Sequence, residues 1–429
     1  MIQRLSNFND CFKATETWLT VAEAIERFSN LLHGVTKIEK IPIRDCSARI
    51  LAVQLKARHN IPPHDNSAVD GYVVYFDDLQ KNTQTRLPIT GRIAAGHPMK
   101  LASQRGEAKK IFTGAPIPKG LRDKGPDTIF MLEDAEIEGN FVVLPDGIER
   151  FSNLRKAGED VKFGDTILSS GHRLRPQDIS MAAALGYEKL EVYRKLRVAV
   201  FSSGDELQEV GAPLSDGCVY DANRYSLISM LEQLGCEVTD IGILKDNPDE
   251  IKVGLWEASL DNDLLITSGG VSKGEEDHIK EVVEGLGALN FWNLAIKPGR
   301  PIALGHVDRG SVQVPFIGLP GNPVAVMVTF LCIARPLVLL LSGARDLEPQ
   351  MYQVKSGFDF NKKVGRREWL RASIQKDHNG EIYALKYEAD GSGIISSMVE
   401  SSGLIELSEE CGGVGVGDII NYLPFNEVI

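Results

Sequence analysis

The sequence predicts a multidomain α/β plus β protein, and three observations predict it. From Leu196 to about residue 345, strand-like runs alternate with turns and helices. Between about 56 and 150, short apolar runs are separated by Gly, Pro and Asp with no helical period. After about Asp346 the chain is strand-like again, down to GVGVGDIINYLPF. Strand–helix alternation argues for a three-layer α/β domain with a mostly parallel sheet. The flanking regions then read as a β-rich insertion and a C-terminal small β domain.

Taken in order, TVAEAIERFSNLLH (20–33) opens with Thr20 and Glu23 at capping-box spacing and ends before Gly34. Ala22, Ile25, Phe28 and Leu32 fall on one helical face. The pattern predicts a second short helix over Ser47 to Val53. YVVYF, RLPITGRIAA, AKKIFTG, DTIFMLE and FVVLP are the strands of the insertion. Pro176 opens a helix that Gly186 closes, and a strand follows. The expected organisation is a discontinuous helical spacer (dimerisation) domain of residues 1–55 and 151–195, with the insertion at 56–150. The α/β domain spans 196–345 and the C-terminal β domain 346–429. In the α/β part LRVAVF, EVTDIGIL, DLLIT and FIGLP are strands, and helices follow near DANRYSLISMLEQLG, 248–259, DHIKEVVEGLG and NPVAVMVTFLCIA.

At 429 residues the chain is long enough for roughly three domains. A formal net charge of -12 argues against nucleic acid as a partner, because no basic stripe dominates the field. The start, MIQRLSNFNDCF, lacks an apolar signal core, and the expected location is cytoplasmic. The apolar run Val324 to Leu341 is interrupted by Arg335-Pro336 after eleven residues, so a buried core helix is expected and not a membrane span. Six cysteines without regular spacing read as reduced thiols.

The polar stretch IPPHDNSAVDGYVVY (61–75) crowds turn formers and carboxylates ahead of a strand. Its simplest reading is an Asx-capped turn, yet Gly71 directly after Asp70 suggests a close backbone approach. In a parallel sheet ligands gather at the carboxyl ends of strands. Those ends carry Ser202–Glu206, Asp246, Ser268-Gly269-Gly270-Val271-Ser272 and Leu319-Pro320-Gly321-Asn322. Glycine turns leading into helices expose N–H groups to an anion. Carboxylates on the same rim, Glu206, Asp246 and Asp277, make sense beside phosphate if Mg2+ lies between them. Helix capping is the rival reading for Asp277. Lys297 and Arg300 in AIKPGRP supply positive charge on a stiff, bent loop, for an oxyanion or simply for the surface.

PPHDNSAVDGY, FTGAPIP, RKAGEDV, FSSGDEL, DANR, SGGVSKGEEDH, AIKPGRP and GLPGNPVA occur in this order over residues 62–325. The ordered set resembles the molybdopterin molybdenumtransferases, the MoeA-like proteins that include the E domain of gephyrin. The resemblance covers essentially the whole chain. It implies insertion of molybdate into adenylylated molybdopterin with release of AMP and use of Mg2+. Carried over by position, it implies catalytic roles for Asp70, Thr113, Asp160, Glu206 and Asp277, with Glu206, Asp277 and Asp70 as the metal set. Asp246, Ser268, Gly269, Gly270, Ser272, Lys297, Arg300, Pro320, Gly321, Arg371 and Ser392 would bind the small-molecule substrates. It also implies a homodimer with shared active sites and transient contact with other molybdenum cofactor biosynthesis proteins. The sequence departs from the family pattern at Arg300, where lysine is usual, at His278 and Ala325, and at Lys273 inside the glycine turn. Arg300 keeps the charge but offers a planar fork. Three alternatives stay open: molybdopterin adenylyl transfer, a non-catalytic scaffold role, and tungstate in place of molybdate.

Overall fold

The computed structural model describes residues 7–14, 18–270 and 278–428. The chain packs into two compact units. One comprises Met1–Val53, Ser170–Arg175 and Lys189–Ile429; the other comprises Gln54–Ser169 and Pro176–Glu188. The helices Val21–Leu31 and Pro176–Ala184, expected to share a spacer, therefore fall in different units. What joins the two segments of the expected spacer is an antiparallel pair, Ile38–Pro42 with Lys189–Tyr193.

The smaller unit is built on a six-stranded sheet. Its order is Thr128–Met131, Gly71–Val74, Ala108–Ile111, Thr85–Ile93, Phe141–Leu144 and Glu136–Glu138. Five of these strands are the predicted ones. The sixth, EIE, is exposed along its length and carries no apolar alternation to read. Tyr72 and Val74 pack into one cluster with Leu87, Phe130 and Val142, while Val73 packs into another with Ile93, Ile111 and Ile129. A strand buried on both faces has to read as a continuous apolar run, as YVVY does. Gly71 is required where it stands, since a Cβ there would lie 1.8 Å from the Phe130 carbonyl oxygen.

In the larger unit the predicted α/β sheet is present but mixed. Glu237–Leu244, Arg197–Ser203, Leu264–Ser268 and Val312–Leu319 lie parallel in that order. Pro301–Arg309 then runs antiparallel to Val312–Leu319, and Gly287–Asn293 antiparallel to it. The helix Val21–Leu31 has the full Thr20–Glu23 capping box. It lays Phe28 on Trp292, with ring centroids 5.6 Å apart and nearly parallel. Phe28 and Trp292 both belong to the core that spans the sheet.

The helix expected over Ser47–Val53 does not form. A short 3-10 turn, Ile43–Asp45, precedes it, and Ala48 takes a positive φ of 61° that no α-helix allows. Ile50 and Leu51 instead bridge to Arg173 and Val192. Pro336 does not end the apolar helix either. Pro323–Leu341 is one helix of 19 residues, mostly buried, with a π-helical segment at Phe330–Ala334 ahead of the proline. A wider turn there relieves the clash between a proline ring and the preceding helical carbonyls.

The C-terminal region is a small β-barrel. Its strands follow the order Ile296–Lys297, Arg367–Lys376, Ile382–Lys386, Tyr352–Ser356, Ile419–Pro424 and Gly403–Leu407. The last also pairs with Arg367–Lys376, closing the ring around Leu370, Ala372, Ile405 and Ile420.

Candidate active site

In the smaller unit the stretch before Gly71 is held by its neighbours. Ser67 Oγ donates to Val69 O at 2.5 Å, and Ala157 N–H donates to Asp65 Oδ1 at 2.8 Å. Asp70 comes next and stands in solvent. Its Oδ1 accepts two bonds from Thr113, one from the backbone N–H and one from Oγ1, both 2.8 Å. Those bonds, with a smaller contribution from the Lys110 charge, hold its carboxyl below the usual aspartate value. The turn thus presents a carboxylate that stays ionised. Asp160 belongs to the same unit, where its N–H donates to Ile61 O at 3.1 Å, and its side chain is exposed.

In the larger unit the predicted rim is assembled at the strand ends. Ser203 Oγ donates to Asp246 Oδ1 at 2.8 Å, and Asp246 N–H reaches Asp205 Oδ1 at 3.5 Å. Glu206 curls its carboxylate back over Gly204, so that a Cβ on Gly204 would lie 2.4 Å from Glu206 Oε2. Gly269 and Gly270 both adopt positive φ, 82° and 63°, and Gly269 N–H donates to Leu319 O at 3.1 Å. A Cβ on Gly270 would sit 2.7 Å from Ile279 Cδ1, so the turn needs glycine for both shape and room. On the adjoining turn, Asn223 Nδ2 donates to Gly321 O at 2.7 Å. Ser268 is buried at its strand end, and the hydroxyls of Ser202 and Thr267 are buried without partners.

Beside the barrel lies a cavity of about 370 Å³ lined by Lys297, Pro298, Gly299, Arg300, Arg366, Glu368, Trp369, Arg371, Asp390 and Ser392, among others. Lys297 is half exposed and its amine meets the buried Glu368 carboxylate at 3.2 Å. Arg371 is buried. Its Nε donates to Ser397 Oγ at 3.0 Å, and a terminal nitrogen donates to Ala389 O at 2.7 Å and Gly391 O at 3.1 Å. Burial lowers its pKa against the opposing charges of Asp390 and Tyr387. These bonds fix the turn that carries Ser392, whose carbonyl accepts Val324 N–H at 3.0 Å. Arg300 is exposed and places its guanidinium over the Trp18 ring, 5.4 Å from the centroid.

Sequence-predicted residues are thereby gathered into three local groups. Asp70 and Thr113 are bonded to one another. Asp246, Gly269, Gly270, Ser268 and Gly321 form the rim with Glu206. Lys297, Arg300, Arg371 and Ser392 line the cavity. Pro320 opens the turn that ends in Asn322. Ser272, Lys273 and Asp277 lie outside the described residues, and His278 opens the helix His278–Leu286. Ala325 sits in the first turn of the helix beneath the Lys297–Arg300 loop, where its carbonyl accepts Thr329 Oγ1 at 2.7 Å. Sequence reasoning missed Arg366, Asp390 and Asn223; DANR was legible as a motif, but the role of its asparagine was not, and Ser203 was read only as part of the Ser202–Glu206 turn.

Among the described residues no group of three His, Cys, Asp or Glu forms a ready metal cluster. The rim still suits Mg2+ chemically. Asp205, Glu206 and Asp246 are hard oxygen donors without a soft ligand among them, and a cation with few protein ligands keeps its own waters.

Three family descriptions match in chain order. "MoeA N-terminal region (domain I and II)" covers residues 19–186, "Probable molybdopterin binding domain" covers 199–339, and "MoeA C-terminal region (domain IV)" covers 353–425. A molybdopterin molybdenumtransferase of Haemophilus influenzae is 37% identical over 413 residues, 96% of this chain and 100% of that protein. One from a Nostoc species is 33% identical over 78% of this chain and 77% of its own length. Among solved structures, a molybdopterin biosynthesis MoeA protein from Pyrococcus horikoshii OT3 superposes with a TM-score of 0.78. It is 27% identical and the match covers 95% of this chain and 99% of that one.

Proposed function

The chain belongs to the MoeA family of molybdopterin molybdenumtransferases, transferases of molybdenum cofactor biosynthesis, and from that premise we propose how its residues divide the work. The reaction is insertion of molybdate into adenylylated molybdopterin with release of AMP. The observation that carries the assignment is the cavity that brings together Lys297, Arg300, Arg371 and Ser392. A tetrahedral dianion fits a pocket with exposed amine and guanidinium donors. Lys297 and Arg300 hold it, while Arg371 fixes the turn that presents Ser392.

The glycine turns at Ser268–Gly270 and Pro320–Gly321 offer backbone N–H groups to the pyrophosphate. Among the described residues Glu206 and Asp246 would hold Mg2+ there, and a bound cation would supply neutralisation of charge on the pyrophosphate. Asp70, kept ionised by Thr113, acts as an acceptor that orients water or molybdate, with Asp160 beside the same stretch. We place the enzyme in the cytoplasm, consistent with six free cysteines.

We also propose that the working unit is a two-fold homodimer in which the Asp70 module of one chain serves the rim of the other. Two-fold dimers are the commonest oligomers, and Asp70 and Glu206 belong to different compact units. Mixing inactive Asp70→Ala and Glu206→Ala chains should then restore about a quarter of full activity through mixed dimers. Zero activity after co-refolding would refute sharing.

The reaction itself is tested by supplying adenylylated molybdopterin and molybdate and following AMP release and metal uptake, with and without Mg2+. The proposal expects stoichiometric AMP release that requires Mg2+. Consumption of ATP and molybdopterin, with adenylylated molybdopterin left intact, would assign adenylyl transfer instead.

A further inference from the structure

Trp18 is a large apolar side chain left 48% exposed, although the residue after it is buried. It is not loosely held. Leu19 N–H donates to Asn293 O at 3.0 Å, Ala295 N–H donates to Leu19 O at 2.8 Å, and Leu19 bridges Leu294. Thr20 then starts a capped helix. The same short segment holds Arg300, whose carbonyl accepts Leu294 N–H at 3.0 Å. Indole and guanidinium are therefore mounted on one backbone anchor, 5.4 Å apart, within cation–π range. Arg300 also lines the cavity assigned to the oxyanion.

We infer that Trp18 and Arg300 form a stacking platform at the mouth of this cavity, on which a planar fused nitrogen heterocycle of the substrate lies. The inference rests on the proposed function and adds the part of the substrate that the anion groups do not address. Trp18 backs the guanidinium and keeps it flat, and the exposed face of Arg300 receives the ring. A guanidinium stacks on a π-face, whereas an ammonium is a point charge without one. That difference gives the arginine at position 300 a further physical reason, since lysine would keep the charge for an oxyanion but offer no π-face to a ring. Trp18 is a positioning residue here; Arg300 makes the contact.

The ring is either adenine or pterin, and binding separates the two sources. Wild type, Arg300→Lys, Trp18→Ala and Trp18→Phe are titrated calorimetrically with AMP, with unsubstituted pterin and with ribose 5-phosphate. At least one heterocycle should bind wild type, and its affinity should fall about tenfold in Arg300→Lys. Trp18→Ala should lose several-fold and Trp18→Phe should recover most of it. Ribose 5-phosphate, which has no ring to stack, should bind Trp18→Ala as it binds wild type. Binding of AMP alone assigns adenine; binding of pterin alone assigns pterin. Failure of both to bind wild type overturns the platform, as does unchanged affinity in Arg300→Lys and Trp18→Ala. Neither result touches the reaction assignment, which wild-type AMP release tests separately.

Discussion

Asp70 and Arg371 are both charged residues implied in the same reaction, and they are built in opposite ways. Asp70 is exposed, and both hydrogen bonds to its carboxylate come from Thr113. Arg371 is buried, and the bonds it makes run inward, to Ser397 and to two carbonyls of the turn before Ser392. The first arrangement leaves a carboxylate oxygen free for a ligand. The second leaves little of the guanidinium free and uses it to shape what lies beside it. Charge alone does not mark a substrate contact; what remains unspent after the fold has taken its bonds does.

The largest expected effect tests the exposed side of that comparison. Asp70→Asn keeps volume and loses charge, so AMP release should fall by about a hundredfold or more while thermal unfolding stays where it is. Near-normal turnover would return Asp70 to a plain turn residue. On the buried side, Arg371→Gln should cost about 2 kcal/mol in urea unfolding, since it leaves buried acceptors unpaired, and it should lower activity along with stability. Unchanged stability with weakened molybdate binding would show that Arg371 touches the anion directly and would break the comparison. The smallest effect concerns Thr113→Val, which removes one of the two bonds to Asp70. The Asp70 pKa, depressed by Thr113, should rise toward the ordinary aspartate value, read by carboxyl NMR titration. Because the native pKa is depressed, the Thr113 contribution is fully present above the unfolded-state pKa and is lost as pH falls through the native one. Thr113→Val should therefore weaken that acid-limb dependence, and an unmoved pKa would mean that the backbone N–H alone holds the charge.

Local rules made much of this legible. The Thr20–Glu23 capping box and the positive-φ turn at Gly269-Gly270 depend on residues close in sequence, and each forms as read; at Gly71 the glycine marked a close approach without naming Phe130, on the distant strand it meets. What escaped reading depends on partners far along the chain. Arg366 and Asp390 join Lys297 only because the strand Ile296–Lys297 pairs with Arg367–Lys376, and no local pattern encodes that register. The strands Gly287–Asn293 and Pro301–Arg309 went unread, and they pair with each other antiparallel across the AIKPGRP loop. The helix expected over Ser47–Val53 had acceptable composition, but bridges to Arg173 and Val192 claimed its backbone. Trp18 carried no signal at all, since its exposure is a property of the fold.

The proposed separation between an oxyanion cavity and a cation rim is tested most directly by molybdate binding with Mg2+ chelated. Wild type, Lys297→Ala and Glu206→Gln are compared by calorimetry, and each is then assayed for AMP release across a Mg2+ series. Lys297→Ala should lose about tenfold or more in molybdate affinity, as removal of a charge-assisted contact requires. Glu206→Gln should bind molybdate as wild type does and need about tenfold more Mg2+ for turnover, since a hard cation needs anionic oxygen. The reverse pattern, molybdate lost with Glu206 and kept without Lys297, would contradict that separation.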